Sequence, residues 1–356
     1  MPVRKKNHRG IDFLKTGANR DSEKGGSSMA NLATTYMGLR LKNPLVVGSS
    51  GLTATVAGVK DLAEKGAGAV VLKSIFEEEI AFELDQVIRK AKSAVYNLEQ
   101  FDYIDYQIRE EKIQKYTQLI EGCKKAVSIP VIASVNCVYS HEWTAFARHL
   151  EAAGADAIEL NMFFLPSDLH RSIKDREKAY FNVIEKVRRE VNIPVALKIS
   201  YYFTDLGKMI QRLADTGVSA LVLFNRFYSP DFDIEKLQIT PGHVFSSPGE
   251  LYLSLRWVAM MSGRVRCDLA ASTGVHDGKA VIKQLLAGAK AVQVVSALYR
   301  KGKGQLGVML QELEDWMKRH KYKSIDQFRG KLSQKESTNP ASYERVQFMQ
   351  YFGAKK

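Results

Sequence analysis

Short apolar runs alternate with amphipathic helical stretches from residue 45 to residue 300, and few folds accept that rhythm. The unit is clearest in RVRCDLAASTGVHDGKAVIKQLLAGAKAVQVVSALYR, residues 264–300, where an apolar run ends at Leu269, Ala270 and Ala271. A helix is predicted from Asp277 to Ala287: Asp277 suits an N-cap, Val281, Ile282, Leu285 and Leu286 recur at helical spacing, and Gly288 suits the closing residue. The strand after it, Ala291 to Val295, is nearly all apolar, as expected of a parallel strand covered on both faces. The same pattern predicts strands at Leu45–Val47, Ala69–Lys73, Val131–Val135, Ala157–Asn161, Val195–Lys198 and Ala220–Phe224. Helices are predicted between them at 55–65, 103–126, 141–153, 175–190, 204–216 and 250–261. Eight strands, each followed by a helix, with no GxGxxG after the first, favour an α/β chain folded as a (β/α)8 TIM barrel. A doubly wound, flavodoxin-like sheet is the structural alternative.

Additions to that barrel are legible at both ends. The stretch TTYMGLRLKNPLVVGSSG predicts an N-terminal hairpin turning near Gly38 just before the first strand. Connections 74–102 and 225–249 are too long to be simple turns, and in a barrel both fall on the C-terminal face, where long loops build or cover sites. Residues 301–320 predict a closing helix. The expected organisation is a disordered basic leader over 1–28, or the product of an upstream start with Met29 behind it; a barrel over 29–332; and a polar tail over 333–356.

The net charge of +13 gathers at those ends. Residues 1–28 hold seven basic and three acidic side chains, and residues 301–356 hold twelve and six. Basic tails of this kind are usually solvated, so the expectation is no nucleic-acid partner. No apolar run approaches the ~18 residues of a membrane span, so no membrane association is expected. Cys123, Cys137 and Cys267 lie far apart without metal-type spacing; no metal site is expected, and a cytoplasmic location fits.

The predicted strand ends collect polar residues: Ser49, Ser50 and Gly51; Lys73 and Ser74; Asn136 and Cys137; Asn161; Lys198; Asn225; Ser272, Thr273 and Gly274; and Ser296. Small and hydroxyl residues at the ends of the last two strands let an anion approach backbone N–H groups, which is how barrels seat a phosphate; ordinary turns of an α/β protein are the plain alternative. A lysine ending an apolar strand is costly to bury unless it meets an anion or acceptors, and two occur, Lys73 and Lys198; either could instead snorkel at the rim. Two cations, amide side chains and a phosphate seat suit a flat, phosphorylated, electron-accepting cofactor, with flavin mononucleotide (FMN) the natural candidate.

These segments also resemble a known family. NPLVVGSSG, AVVLKS, AIELN, PVALKIS, the run from ASTGV to VQVVSAL, and KYKSIDQFRGKL stand in the order found in the dihydroorotate dehydrogenases, closest to the soluble class 1 enzymes. The resemblance spans roughly Leu32 to Leu332. It implies an FMN-binding barrel that oxidises dihydroorotate to orotate in pyrimidine biosynthesis, a dihydropyrimidine-like small-molecule substrate, and a homodimer. By position, Ser49, Ser50 and Gly51 would line the flavin, and Lys73 and Ser74 would meet flavin and substrate. Asn161 and Lys198 would bond the ring system, Asn225 would sit near substrate or flavin, and Thr273, Gly274, Val295 and Ser296 would hold the phosphate.

The chain departs from the family where the substrate is handled. After Asn161 the family places a catalytic Cys or Ser, then Pro and Asn; here the sequence runs Met162, Phe163, Phe164, Leu165, Pro166, Ser167, Asp168. Ser167, though it follows Pro166 where the family's base precedes the proline, is the nearest hydroxyl and is taken as the candidate base, with Asp168, His170 and Cys137 as weaker candidates and Lys73 the other candidate catalytic residue. The family's Asn-Ser-Met-Gly loop is replaced around Lys92, Ser93, Ala94 and Val95, and the Gly-rich turn after strand six reads Phe245, Ser246, Ser247. An altered substrate or weak dihydroorotate turnover is therefore expected. Two alternatives stay open: a reductase resembling the tRNA dihydrouridine synthases, with Cys137 as its cysteine, and a flavin-binding protein without turnover.

Overall fold

A computed structural model describes residues 30–76, 98–136, 143–162, 164–227 and 229–344. The expected leader 1–28, the loop around Lys92, Cys137 and Phe163 lie outside the described residues.

The alternation closes into a barrel. Strands β1 (Leu45–Val47), β2 (Ala69–Val71), β3 (Val131–Asn136), β4 (Ala157–Met162), β5 (Val195–Ile199), β6 (Ala220–Leu223), β7 (Asp268–Ala271) and β8 (Ala291–Val294) pair in parallel with their sequence neighbours. Register Val294↔Val47 joins β8 back to β1, so no sheet edge is left. The helices are α1 (Val56–Glu64), α2 (Leu98–Ala126), α3 (Trp143–Ala152), α4 (Ile173–Glu190), α5 (Leu206–Asp215), α6 (Leu251–Met261) and α7 (Gly278–Ala287). After β8 come a short α8 (Ser296–Lys301) and the closing α9 (Gln305–Arg319). Asp277 caps α7 by accepting from the Ala280 N–H, and Gly288 ends it at φ 116°, a conformation that favours glycine. Among the described residues no helix is long and apolar enough to cross a membrane.

Strand periodicity sorts the interior into layers. Inward positions near the strand starts are small or branched: Val46, Val71, Ile132, Ala157, Ala196, Ala220, Val222, Ala270 and Ala291, all buried. They pack on Tyr36, Met37 and Leu41 of the N-terminal hairpin (Thr34–Tyr36 with Leu39–Leu41), which therefore plugs the N-terminal mouth. The Met37 N–H donates to Asp268 at 2.9 Å and fixes the plug to β7. Two residues further along the same inward faces the side chains turn polar: Ser134 on β3, Glu159 on β4, Lys198 on β5 and Gln293 on β8. The outward faces join the helices in one large apolar core.

One connection and the segment after the closing helix carry structure beyond the pattern. The segment after β6 contains an antiparallel hairpin, Pro230–Asp233 with Gln238–Pro241. Packing also continues past the closing helix: Ile325 and Phe328 are fully buried, and the Gly330 and Gln334 N–H groups donate to Leu285 O and Ala259 O at 3.0 and 2.9 Å.

Candidate active site

Most of the predicted strand-end residues meet at the C-terminal mouth of the barrel, in separate hydrogen-bonded groups. Lys198 lies at the centre of one, 9% exposed, its Nζ donating to Gln293 Oε1 at 2.8 Å. Gln293 Nε2 donates in turn to Glu159 Oε2 at 2.5 Å, and Glu159 Oε1 stands 3.9 Å from the ammonium. Burial lowers the pKa of Lys198, with the Glu159 charge pulling it back up; burial raises that of Glu159, with Lys198 and Gln293 opposing. Gly48 abuts this group, since a Cβ there would stand 3.0 Å from Val295 Cγ2 and 3.2 Å from Gln293 Oε1.

A hydroxyl chain forms the second group. Ser49 Oγ lies 2.9 Å from Ser74 Oγ and accepts from the Ser74 N–H at 2.8 Å, and Ser74 Oγ lies 2.7 Å from Ser134 Oγ. Tyr116, reaching in from α2, donates to Ser134 O at 3.1 Å and accepts from the Ser134 N–H at 2.8 Å. Ser50 N-caps the short 3-10 turn Gly51–Thr53, where a Cβ on Gly51 would stand 2.8 Å from Tyr299 Oη. Lys73 lies just past the end of β2 with its side chain exposed at the rim and its N–H on Thr53 O at 3.4 Å. Across the mouth, Asn225 Nδ2 donates to Asn161 Oδ1, joining the ends of β6 and β4.

The predicted phosphate seat forms the third group. Thr273 and Gly274 both take left-handed backbone, φ 78° and 76°, which turns the chain sharply after β7. Gly274 has no room for a side chain: a Cβ would sit 2.1 Å from Leu251 N. Ser246, read from the sequence only as a replacement in the turn after strand six, ties the seat together. Its N–H donates to Ser296 Oγ at 3.0 Å, its hydroxyl accepts from the Gly274 N–H at 3.4 Å, and the same hydroxyl lies 3.2 Å from His276 Nε2. Phe245 stacks on Tyr299, ring centres 5.1 Å apart, and covers the same corner.

Arg226, just past the end of β6, clamps the two ends of this loop together. Its guanidinium donates to Glu250 Oε1 at 2.6 Å, to Val244 O at 2.9 Å and to His243 O. Beside it opens a cavity of about 380 Å³, walled by Tyr201, Phe224 and Phe227 and floored by Asn225, Ser272 and Thr273.

Ser167 is placed apart. It lies on an exposed turn with its N–H on Leu165 O at 2.8 Å, and among the described residues no hydrogen bond links it to the mouth. Phe164 packs edge-on against Tyr180, ring centres 5.2 Å apart. Glu159, Gln293, Ser134, Tyr116, His276 and Arg226 were not singled out from the sequence. For Ser134, Glu159 and Gln293 the usable signal was period-two alternation, which carries the inward face from Ile132, Ala157 and Ala291 onto them; Tyr116 and Arg226 left no local signal.

The residues fit FMN. The donor set at the seat is hydroxyl and backbone N–H, side chains are excluded at Gly274 and Gly48, and a buried cation stands at the mouth.

Residues 31–317 match the family model described as dihydroorotate dehydrogenase. The chain is 25% identical over 307 residues to a dihydroorotate dehydrogenase B (NAD(+)), catalytic subunit, of Thermoplasma volcanium, covering 85% of this chain and 98% of that one. It is 28% identical over 266 residues to the protein of the same name from Methanocella arvoryzae, covering 74% and 85%. It is also 24% identical over 336 residues to the chloroplastic dihydropyrimidine dehydrogenase (NADP(+)) of Arabidopsis thaliana, covering 85% and 77%. With a family match over most of its length and a closed eight-stranded parallel barrel, the chain belongs to the dihydroorotate dehydrogenase family.

Proposed function

We propose that the protein is an FMN-dependent oxidoreductase acting on a CH–CH bond of a dihydropyrimidine-like small molecule, with dihydroorotate a poor substrate. The observation that carries the reading is the buried Lys198 side chain at the end of β5, in a barrel whose last two strands end in the hydroxyl and backbone groups of Thr273, Gly274 and Ser296. When bound, FMN would accept the hydride removed from the substrate carbon. Ser272, Thr273, Gly274, Ser296 and Ser246 would hold its phosphate; Ser49, Ser74, Asn161 and Lys198 would bond the ring; Val295 would pack beside it. Lys198 supplies fixed positive charge where negative charge develops, the role in which a preorganised group contributes most.

The proton leaving the neighbouring carbon needs an acceptor. Among the described residues of the β4–α4 segment, Phe164 is packed on Tyr180, and Ser167, Asp168 and His170 are exposed, so none is seated in the mouth as a base. The names of the Thermoplasma and Methanocella relatives as catalytic subunits support a route in which electrons leave through a partner subunit or a nicotinamide.

An anaerobic titration tests the assignment. The FMN-loaded protein is mixed with dihydroorotate and with a panel of other dihydropyrimidines while the visible spectrum is followed. Bleaching by another dihydropyrimidine faster than by dihydroorotate is expected. Rapid bleaching by dihydroorotate at ordinary enzyme rates of ~1–10³ s⁻¹ would contradict the altered-substrate part, and no bleaching by any member of the panel would contradict the substrate class.

A further inference from the structure

Lys198, Gln293 and Glu159 form a chain with a direction. The amide of Gln293 turns its oxygen toward Lys198 Nζ at 2.8 Å and its nitrogen toward Glu159 Oε2 at 2.5 Å. That orientation is the one an ammonium and a carboxylate impose from opposite ends, since an ammonium only donates and an ionised carboxylate only accepts. All three side chains are buried, at 9%, 2% and 1% exposed. Glu159 Oε1, 3.9 Å from Nζ, has no hydrogen-bond partner of its own, so its charge is spent on the lysine rather than on a donor. Either group alone would shed its charge on burial; together each opposes that loss in the other.

We propose that Glu159 is a positioning residue that keeps Lys198 protonated in every redox state of the enzyme, so that a permanent charge, rather than a proton drawn from water, answers the electrons arriving at the barrel mouth. The part concerning electrons rests on the flavin reading above. Among the described residues, two buried tyrosines feel Glu159: Tyr116 of α2 and Tyr36 of the hairpin plug. Tyr36 of the hairpin plug feels Glu159 from the N-terminal side, with its own hydroxyl buried and unpartnered, and Asp268 and Cys267 act on Tyr36 in turn. Lys73 lies at the rim with its side chain exposed. Gln293 acts as the spacer that fixes the direction of the pair, and neither Glu159 nor Gln293 needs to touch a ligand for this role.

The test has an arm without flavin and an arm with it. In flavin-free protein labelled with ¹⁵N-lysine, the Lys198 Nζ signal, assigned through Lys198→Arg, should be that of an ammonium at neutral pH. It should change to an amine in Glu159→Gln and return to an ammonium in Glu159→Asp, which keeps the charge. In FMN-loaded protein, each proton taken up with two electrons moves the midpoint potential by 29.6 mV per tenfold change in proton activity. The wild type and Glu159→Asp should follow the one-proton slope between about pH 7 and 9, and Glu159→Gln should follow about twice that slope as Lys198 takes up the second proton. An amine signal for Lys198 in the wild type would overturn the proposal, and that reading stands even if Glu159→Gln does not fold. An ammonium in Glu159→Gln together with an unchanged slope would overturn it as well. If the wild type takes up no FMN, the flavin reading fails, while the NMR arm still decides what Glu159 does for Lys198.

Discussion

Burying an ammonium costs several kcal/mol unless acceptors and an opposite charge return it, and Lys198 meets both in Gln293 and Glu159. That cost is the reason to assign it a task. Replacing it with alanine should leave the fold intact and shift the equilibrium between oxidised and reduced flavin at least ~10-fold toward the oxidised form, a fall of about 30 mV in midpoint potential. An unchanged potential and unchanged FMN affinity would reduce Lys198 to a rim lysine. The missing base gives a second expectation at this scale. A positioned general base contributes ~10²–10⁴-fold to such a step, so steady-state dihydroorotate oxidation should fall short of ordinary enzymes by about that factor, and Ser167→Ala should remove most of what remains only if substrate draws that exposed turn inward. Dihydroorotate turnover at ordinary rates, unaffected by Ser167→Ala, would mean that another residue takes the proton.

The loop between β6 and α6 shows how an element depends on a few contacts. A two-stranded hairpin is marginal by itself, and Phe232, Ile234, Leu237 and Ile239 on this one are 67–90% exposed. Little apolar packing holds it, so the Arg226 guanidinium, with Glu250 and two carbonyls as acceptors, clamps the returning arm of the loop to its base, beside the Ser246 contacts to Ser296 and Gly274. Arg226→Ala should therefore release the segment carrying Ser246: limited proteolysis within 229–245 should speed up, and FMN affinity should drop while thermal stability changes little. Loss of stability with no change in cleavage would place the role of Arg226 in the barrel itself. On the opposite side, Tyr116 satisfies both the N–H and the C=O of Ser134. Tyr116→Phe takes a partner from both strand groups and should cost about 1–3 kcal/mol in urea unfolding. Neither dependence was legible in the sequence, because each joins residues 17 or more apart through a side chain rather than through periodicity. The elements were legible for the opposite reason. Ala69–Val71 or Ala291–Val294 must be apolar on both faces and Asp277 must cap its own helix, and these are local demands that leave local marks. Boundaries moved by a residue or two, as when β2 ended at Val71 and placed Lys73 beyond the strand, with its side chain at the rim.

For the molecule as a whole, the barrel is a column of layers: a hairpin plug, a layer of small apolar side chains, a polar layer, and a mouth. The order of residue types along each strand recorded the barrel, but of the polar layer only Lys198 stood out, because Glu159 and Gln293 sit inside runs that read simply as strand unless the period-two register is followed. His276 lies at the mouth, 5% exposed, and burial holds its pKa below the ordinary imidazole value of about 6.5, with Arg300 and Lys301 acting in the same direction. The folded state therefore resists protonating it while the unfolded chain does not. Stability should fall as pH drops below about 6.5 and stop falling once the pH is below the depressed folded value. His276→Gln, which keeps a partner for Ser246, should flatten that part of the stability curve; a curve of unchanged shape would mean that other groups dominate it. Binding of FMN through the strand-end seat is the claim on which the function rests, and fluorescence titration of FMN into flavin-free protein measures it most directly. The account predicts saturable one-to-one quenching with a yellow complex that survives gel filtration, and marked weakening in Gly274→Ala, where a Cβ would stand 2.1 Å from Leu251 N. Protein that stays colourless and leaves FMN fluorescence unchanged at excess FMN would contradict it.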